Sequence, residues 1–291
     1  MKIKKNIPYI LSAAITAALL TFETIVSPNI NQQSSKLNDF KTKYNISWCK
    51  ESVYDIQKQK IEEKVQLLIA NYIDNALNGT KRIIENKNKT GYSSAVRKEL
   101  PGAPIHQHCL YGQYTQLNRA MQQMGDTIQI IPTANNAHMS TSSFKKYMTK
   151  LYGNQQYPNS IHRGHLYTTD AEYNRALEHY INTKTKNQKD PTNKSRDKLI
   201  KEFERNNYCA SKLNPGTIII VSSGHAVMYL GQGIIKNKKF ISTKKGQAVC
   251  CSYNAEHTAI YLAYWDTKKS FATDLQNIIT QKHLAQLVKT R

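Results

Sequence analysis

Two residues in this 291-residue chain, Cys109 and His225, are placed so that together they could perform nucleophilic chemistry. Cys109 opens a segment of helical periodicity over 109–124, and the free amides and dipole at a helix start stabilise a thiolate and lower the pKa of the thiol. His225 follows a Ser-Ser-Gly turn at the head of a β-rich run. An imidazole there can reach a helix terminus and act as a general base. The pair predicts attack of a sulfur on a carbonyl.

Such a pair needs supporting polar groups, and several residues could provide them. A third side chain must hold the imidazole in its productive tautomer. Asn254, after a β-rich run, is our choice for this role, with Asn237 and Gln247 as rivals. Gln107 could donate a hydrogen bond to an oxyanion alongside the Cys109 amide.

A zinc site is the alternative reading of the same region. His106, His108 and Cys109 are ligand types that zinc prefers, and a His-x-His on an extended segment projects both rings to one face. His162 and His165 form a second, looser group. Neither a Cys-x-x-Cys nor a His-Glu-x-x-His pattern supplies further ligands. The sequence therefore predicts acyl chemistry that needs no metal and no cofactor.

The elements that would position these residues follow a simple order along the chain. Apolar spacings of three and four predict helices in the first part, and β-rich runs separated by Gly-containing turns follow. Helices first and an antiparallel sheet afterwards is typical of the α+β class. We expect helices over 53–77 (stopped by Asn78-Gly79), 109–124, 140–151, 170–181 and 271–287, and a β-meander of three to five strands over 217–253.

The N-terminal segment indicates export. Lys2, Lys4 and Lys5 precede an apolar stretch over 7–22, the order of a secretory signal. That stretch is short for a membrane span, which needs about 20 apolar residues. We expect a signal peptide over 1–26, with an uncleaved anchor as the alternative, and a polar tether over 27–48. The protein would then be secreted, or periplasmic within the cell envelope.

Export has consequences for the cysteines. An odd number outside the cytoplasm leaves one thiol free or bridged to another chain. Adjacent Cys250 and Cys251 should point to opposite faces of a strand. Pairing stays open among the five, Cys49, Cys109, Cys209, Cys250 and Cys251.

The charge favours an anionic partner. Lys and Arg number 41 against 20 Asp and Glu, a net charge of +21. These residues and the 18 tyrosines are spread along the whole chain, with no nucleic-acid motif. We therefore expect peptidoglycan or another anionic envelope polymer as partner, with a host protein as the alternative, and no nucleic acid.

One stretch carries a family resemblance. Residues 215–221, Pro-Gly-Thr-Ile-Ile-Ile-Val, and 224–233, Gly-His-Ala-Val-Met-Tyr-Leu-Gly-Gln-Gly, resemble the histidine strand of the NlpC-like and CHAP cell-wall hydrolases. Those enzymes have a papain-like fold with a cysteine at a helix start, a histidine on a strand and a polar residue on a later strand. The resemblance assigns these places to Cys109, His225 and Asn254. The residues after the cysteine, Leu-Tyr-Gly, depart from the family pattern.

The resemblance implies an exported cysteine peptidase or amidase that cleaves an amide bond, most simply in peptidoglycan peptides. The catalytic domain would span 49–291, with a helical insertion over about 133–208 that fills the long interval between cysteine and histidine. Two other functions stay open. One is a secreted non-catalytic binding protein with a disulfide-bonded Cys109, and the other is a Cys-His acyltransferase or transglutaminase-like effector.

Overall fold

The structure, a computed structural model, describes residues 53–103, 108–130, 139–186, 196–237, 239–243, 246–253 and 258–289. Residues 57–291 cluster into one compact unit. The predicted signal peptide and tether lie outside the described residues. No helix within the described ranges is both long enough and apolar enough to cross a membrane.

Seven α-helices and eight β-strands occupy the described ranges, so the predicted α+β class is confirmed. Helices dominate the first part and strands the last. The helices are α1 Val53–Thr90, α2 Tyr92–Glu99, α3 His108–Gln123, α4 Thr141–Tyr152, α5 Asp170–Lys186, α6 Arg196–Glu204 and α7 Leu275–Lys289. The strands are β1 Ile161–Tyr167, β2 Asn207–Cys209, β3 Ile218–Ile220, β4 Ala226–Lys236, β5 Lys239–Ser242, β6 Gln247–Cys251, β7 Ile260–Tyr261 and β8 Ser270–Thr273.

The strands form one sheet in the order β2-β1-β8-β3-β4-β6-β7, and β5 pairs with β4. The sheet is mixed, because β1 and β2 run parallel while the other pairs are antiparallel. It is therefore larger than the antiparallel meander expected from the sequence. The β3–β4 hairpin lies at the centre of the sheet, and His225 lies in the turn that joins its two strands.

Two segments expected to be helical contribute strands to this sheet. The expected insertion over 133–208 contains helices but also β1, which pairs with β8. The last helix begins at Leu275, and the preceding Ser270–Thr273 is a strand between β1 and β3. All four of its residues are buried, because both faces of this strand are covered. The sequence therefore lacks the alternation of apolar and polar residues that marks a half-exposed strand.

The sheet buries a different apolar cluster on each face. Along β3, Ile218 and Ile220 pack against the buried faces of α1, α3, α4 and α7, while Ile219 packs on the opposite side. Cys251 belongs to the first cluster and Cys250 to the second. The predicted opposite orientation of the two cysteines is thus confirmed, as the two-residue period of a strand requires.

A buried carboxylate ties the first three helices together. Glu99 at the end of α2 accepts hydrogen bonds of 2.7 Å from both Nε and Nη2 of Arg82 in α1, and one of 3.0 Å from Arg119 in α3. Burial alone would raise the pKa of Glu99, but the two guanidinium groups outweigh it and hold the pKa below its usual value. This cluster fixes the position of α3, whose first turn carries Cys109.

The glycine expected to stop α1 lies inside the helix instead. A Cβ on Gly79 would lie 2.9 Å from Nε2 of Gln116 and 3.0 Å from a carboxylate oxygen of Glu99. The missing side chain therefore allows α1 to approach α2 and α3 closely, and α1 continues to Thr90. The predicted end at Asn78-Gly79 is wrong because this glycine serves packing rather than termination.

Candidate active site

Cys109 lies in the first turn of α3 and packs against the sheet. Its exposed fraction is 8%, and the backbone groups of Ala226, Leu110 and Cys109 itself act on the sulfur and lower its pKa. Ala226 is the first residue of β4 and directly follows His225. The fold thus brings the Cys109 sulfur beside the peptide bond that joins His225 to Ala226, although the two residues are far apart in sequence.

The electrostatic environment of the thiol differs from the sequence-based expectation. Burial raises the pKa of Cys109, and the bonds from the backbone lower it by less. The expectation of a lowered thiol pKa was therefore wrong in its net direction. The helix start does offer amide groups to the sulfur, but the desolvation of a charged thiolate is the larger effect. At rest the thiol is protonated.

His225 is presented by a tight turn between β3 and β4. The amide of Gly224 donates to the carbonyl of Val221 at 2.8 Å, and the amide of Val221 donates to the carbonyl of His225 at 3.0 Å. Gly224 has a φ of 80°, a left-handed conformation that favours glycine. The Ser-Ser-Gly sequence therefore closes the hairpin and places His225 at the end of the sheet where β4 begins.

The imidazole is held from two directions. Its Nε2 lies 2.6 Å from Oγ of Ser252, and its ring stacks on Trp265 with ring centroids 4.6 Å apart. Burial lowers the pKa of His225 to about 4. The ring is therefore neutral at physiological pH. The contact with Ser252 engages Nε2, one of the two ring nitrogens of the imidazole.

Ser252 reaches His225 because of the register of the sheet. Cys251, the last residue of β6, pairs with Met228 of β4, so the chain beyond it runs alongside the beginning of β4. The Ser252 side chain is fully buried there. The bond to His225 thus gives this hydroxyl a partner inside the protein, as buried polar groups require.

The structure separates the two rival orienting residues from His225. Asn237 follows the last residue of β4 whereas His225 precedes its first, so the length of the strand, roughly 35 Å, lies between them. Gln247 pairs with Gly233, roughly 25 Å along the same strand. Neither residue can orient the imidazole. Asn254 and Gln107 lie outside the described residues.

A close contact between α3 and the end of β6 completes the framework. A Cβ on Gly112 would lie 2.6–2.7 Å from the ring of Tyr253, the residue after Ser252. The hydroxyl of Tyr92 donates to the Tyr253 carbonyl at 2.7 Å. The absence of a side chain at Gly112 thus allows the helix carrying Cys109 to approach the segment that holds His225.

The residues considered for zinc do not come together. His162 stacks on Tyr208 and His165 on Tyr167. His162 and His165 are three residues apart on β1, so their side chains point to opposite faces of the strand. Within the described residues, no three or more His, Cys, Asp or Glu side chains are grouped as metal ligands would be. His106 and the His108 side chain lie outside the described part.

Sequence reasoning missed two residues of this site, Ser252 and Trp265. Ser252 is the one hydroxyl side chain of its size in the mainly apolar run 248–253, and this contrast could have marked it as a candidate partner of His225. Nothing in the sequence alone identifies Trp265 as the ring that stacks on His225, because the contact depends on the path of the chain after β7.

Comparison of the chain with protein-family models, with curated proteins and with solved structures finds no match in any of the three.

Proposed function

We propose that the protein is an exported cysteine hydrolase of papain-like architecture that cleaves an amide bond, with Cys109 as nucleophile and His225 as general base. The observation that supports this most directly is the arrangement at the start of β4. Ser252 engages one nitrogen of His225, and the Cys109 sulfur contacts the backbone of the next residue. A cysteine-histidine mechanism needs the thiol and the imidazole within reach of each other, and the nearness of the sulfur to the residue that follows His225 is what supports this pairing.

The first half of the reaction forms a thioester. The Cys109 sulfur attacks the amide carbonyl while Nδ1 of His225 takes the thiol proton, and the C–N bond breaks as the imidazolium returns that proton to the leaving amine. Ser252 accepts a hydrogen bond from Nε2–H and so holds the tautomer in which Nδ1 accepts the proton. The Cys109 amide, with Gln107 as expected from the sequence, would stabilise the oxyanion.

The second half hydrolyses the thioester and releases the carboxylic acid product. Neutral His225 removes a proton from water, the hydroxide attacks the thioester, and the sulfur leaves and is reprotonated. The shifted pKa values support a proton transfer during attack rather than a resting thiolate–imidazolium pair. Burial raises the pKa of the thiol and lowers that of the imidazole, so both resting groups are neutral.

The state of the cysteines bears on the alternative of a non-catalytic binding protein. Cys109, Cys209, Cys250 and Cys251 are all free thiols in the described part of the chain. A disulfide-bonded Cys109 would therefore need Cys49, which lies outside it, or a cysteine of another molecule. Free Cys109 favours the enzyme.

A digestion assay tests the proposal. The full-length protein is incubated with purified sacculi and with casein, and released peptides and amines are quantified by mass spectrometry. Cys109→Ala should lose at least about 10³-fold in activity. Cys209→Ala, another buried free cysteine, is the matched control and should retain activity within a few-fold. Equal activity in the two variants would remove the nucleophile assignment.

A further inference from the structure

A strongly basic cavity opens at the same end of the sheet as His225. It has a volume of about 440 Å³ and lies between α4, β1 and β8. Four of its lining residues are cationic, Lys145, Lys146 and Lys150 from α4 and Arg163 from β1, and none is acidic. The only large apolar side chain in its wall is Phe271. The cavity therefore offers positive charge above an aromatic floor.

These positive charges have no acidic partner in the part of the chain that the structure describes. Within the described residues, none of the four forms an ion pair. Arg163 is held by neutral groups, since it donates to Oγ1 of Thr149 and lies 6.0 Å from the Phe271 ring centroid. Lys146 and Lys150 are four apart on one helix, a like-charge spacing that destabilises helices. An anion in the cavity would relieve this repulsion.

The register of the sheet relates the cavity to the candidate nucleophile. Arg163 pairs with Phe271, Phe271 with Ile220, and Ile220 with Ala226. These four residues form one row across neighbouring strands about 4.8 Å apart, so the cavity lies roughly 10–14 Å from Ala226. Phe271, Ala226 and Cys109 belong to one apolar cluster. The cavity is therefore on the Cys109 face of the sheet.

We infer that this cavity binds a carboxylate of the substrate, three or four residues from the scissile bond. An extended peptide advances about 3.3 Å per residue, so three to four residues cover 10–14 Å. The inference rests on the proposed function for the identity of the bound molecule. A neighbouring cavity of about 510 Å³ shares Thr149 and Arg163 but also contains Glu204. The anionic group is assigned to the first cavity because it contains no acid.

Peptide cleavage tests the spacing. Acetylated, amidated dodecapeptides of Ala, Ser and Gly carry a single Glu at each position in turn, with Gln peptides as references, and mass spectrometry locates the bond that is cut. Cleavage should occur three or four residues from Glu, with kcat/KM about tenfold above that of the Gln peptide, the effect of two or three partly exposed ion pairs. A cleavage position independent of Glu would overturn the inference.

Paired lysine variants test the cavity itself. Lys146→Gln with Lys150→Gln should bring the Glu-to-Gln ratio close to one. The matched control, Lys198→Gln with Lys201→Gln, removes the same charge from exposed positions on α6 and should leave the ratio unchanged. Both pairs are exposed, so neither substitution should unfold the protein. An equal fall of the ratio in both would mean a general charge effect and would contradict a defined site.

Binding separates this inference from the proposed function. The Cys109→Ala protein is titrated with fluorescein-labelled Glu and Gln dodecapeptides, and anisotropy reports affinity without catalysis. Preferential binding of the Glu peptide, lost in the Lys146/Lys150 variant and kept in the control, supports the cavity even if the wild-type protein cleaves nothing. In that case only the proposed hydrolase function fails. Equal binding of both peptides overturns the cavity assignment.

Discussion

Lowering the pH should destabilise the protein through His225 in a defined window. Burial lowers the pKa of this imidazole from 6.5 to about 4. Each pKa unit corresponds to about 1.4 kcal/mol, so charging His225 costs the native state about 3 kcal/mol more than it costs the unfolded chain. The unfolded chain takes up this proton below pH 6.5, whereas the native protein resists it until about pH 4. The free energy of unfolding should therefore fall across this window by up to about 3 kcal/mol.

Two measurements check the predicted pH dependence of the free energy of unfolding. Denaturant unfolding of the wild-type protein and of His225→Gln at intervals from pH 7.5 to 3.5 isolates the imidazole contribution, and the wild-type protein should lose stability relative to the variant between pH 6.5 and 4. Titration of the His225 ring by NMR gives its pKa directly. A ring that titrates at 6.5 or above, or parallel stability curves for the two proteins, would refute neutral burial and indicate a resting imidazolium paired with a thiolate.

Three substitutions test the contacts of His225 and the packing of α3 at its two ends. Ser252→Ala should lower kcat about ten- to hundredfold with little change in KM, because a lost buried hydrogen bond of about 1–3 kcal/mol frees the imidazole; an unchanged kcat would contradict its orienting role. Gly112→Ala should cost about 1–3 kcal/mol of stability by collision with the Tyr253 ring, which calorimetry beside Asn118→Ala, on the exposed face of the same helix, can measure. Asp126→Asn should remove the 2.8 Å contact with His283 and about 1–3 kcal/mol at pH 7. Burial alone would raise the Asp126 pKa, but its partners lower it to about 2, so this difference should persist above pH 3.8 and vanish as the pH falls through 2. A difference in stability between wild type and Asp126→Asn that does not change with pH would show that it does not come from the Asp126 carboxylate.

Local sequence signals predicted the helices that surround the site. The periodicity over 109–124 corresponds to α3, and Ser140 caps α4 through a 3.1 Å bond from the amide of Ser143, as expected from its type. The helix expected from Asp170 begins there, although it extends to Lys186. These features depend on neighbours within a few residues, and such features can be read from a single sequence.

Features that depend on distant pairing could not be read in the same way. The role of Ser252 follows from the register of β6 on β4, which two turns and a strand separate along the chain. The helix predicted over 271–287 begins only at Leu275, because Ser270–Thr273 pairs as a strand with β1 and β3, neither of which is near in sequence. The direction of the Cys109 pKa shift likewise depends on how deeply tertiary packing buries the thiol. Burial of this kind is decided by the whole fold.

The most direct test of the account is the reactivity of the Cys109 thiol with and without His225. Iodoacetamide is added to the native full-length protein and to His225→Gln at pH 7, and peptide mapping follows the alkylation of each cysteine with time. Cys109 is 8% exposed whereas Cys209, Cys250 and Cys251 are fully buried. We predict that Cys109 reacts before Cys209, Cys250 and Cys251, and that its rate falls at least about tenfold in His225→Gln because a general base is lost. A Cys109 that is found in a disulfide, or that reacts at the same rate in both proteins, would contradict the account.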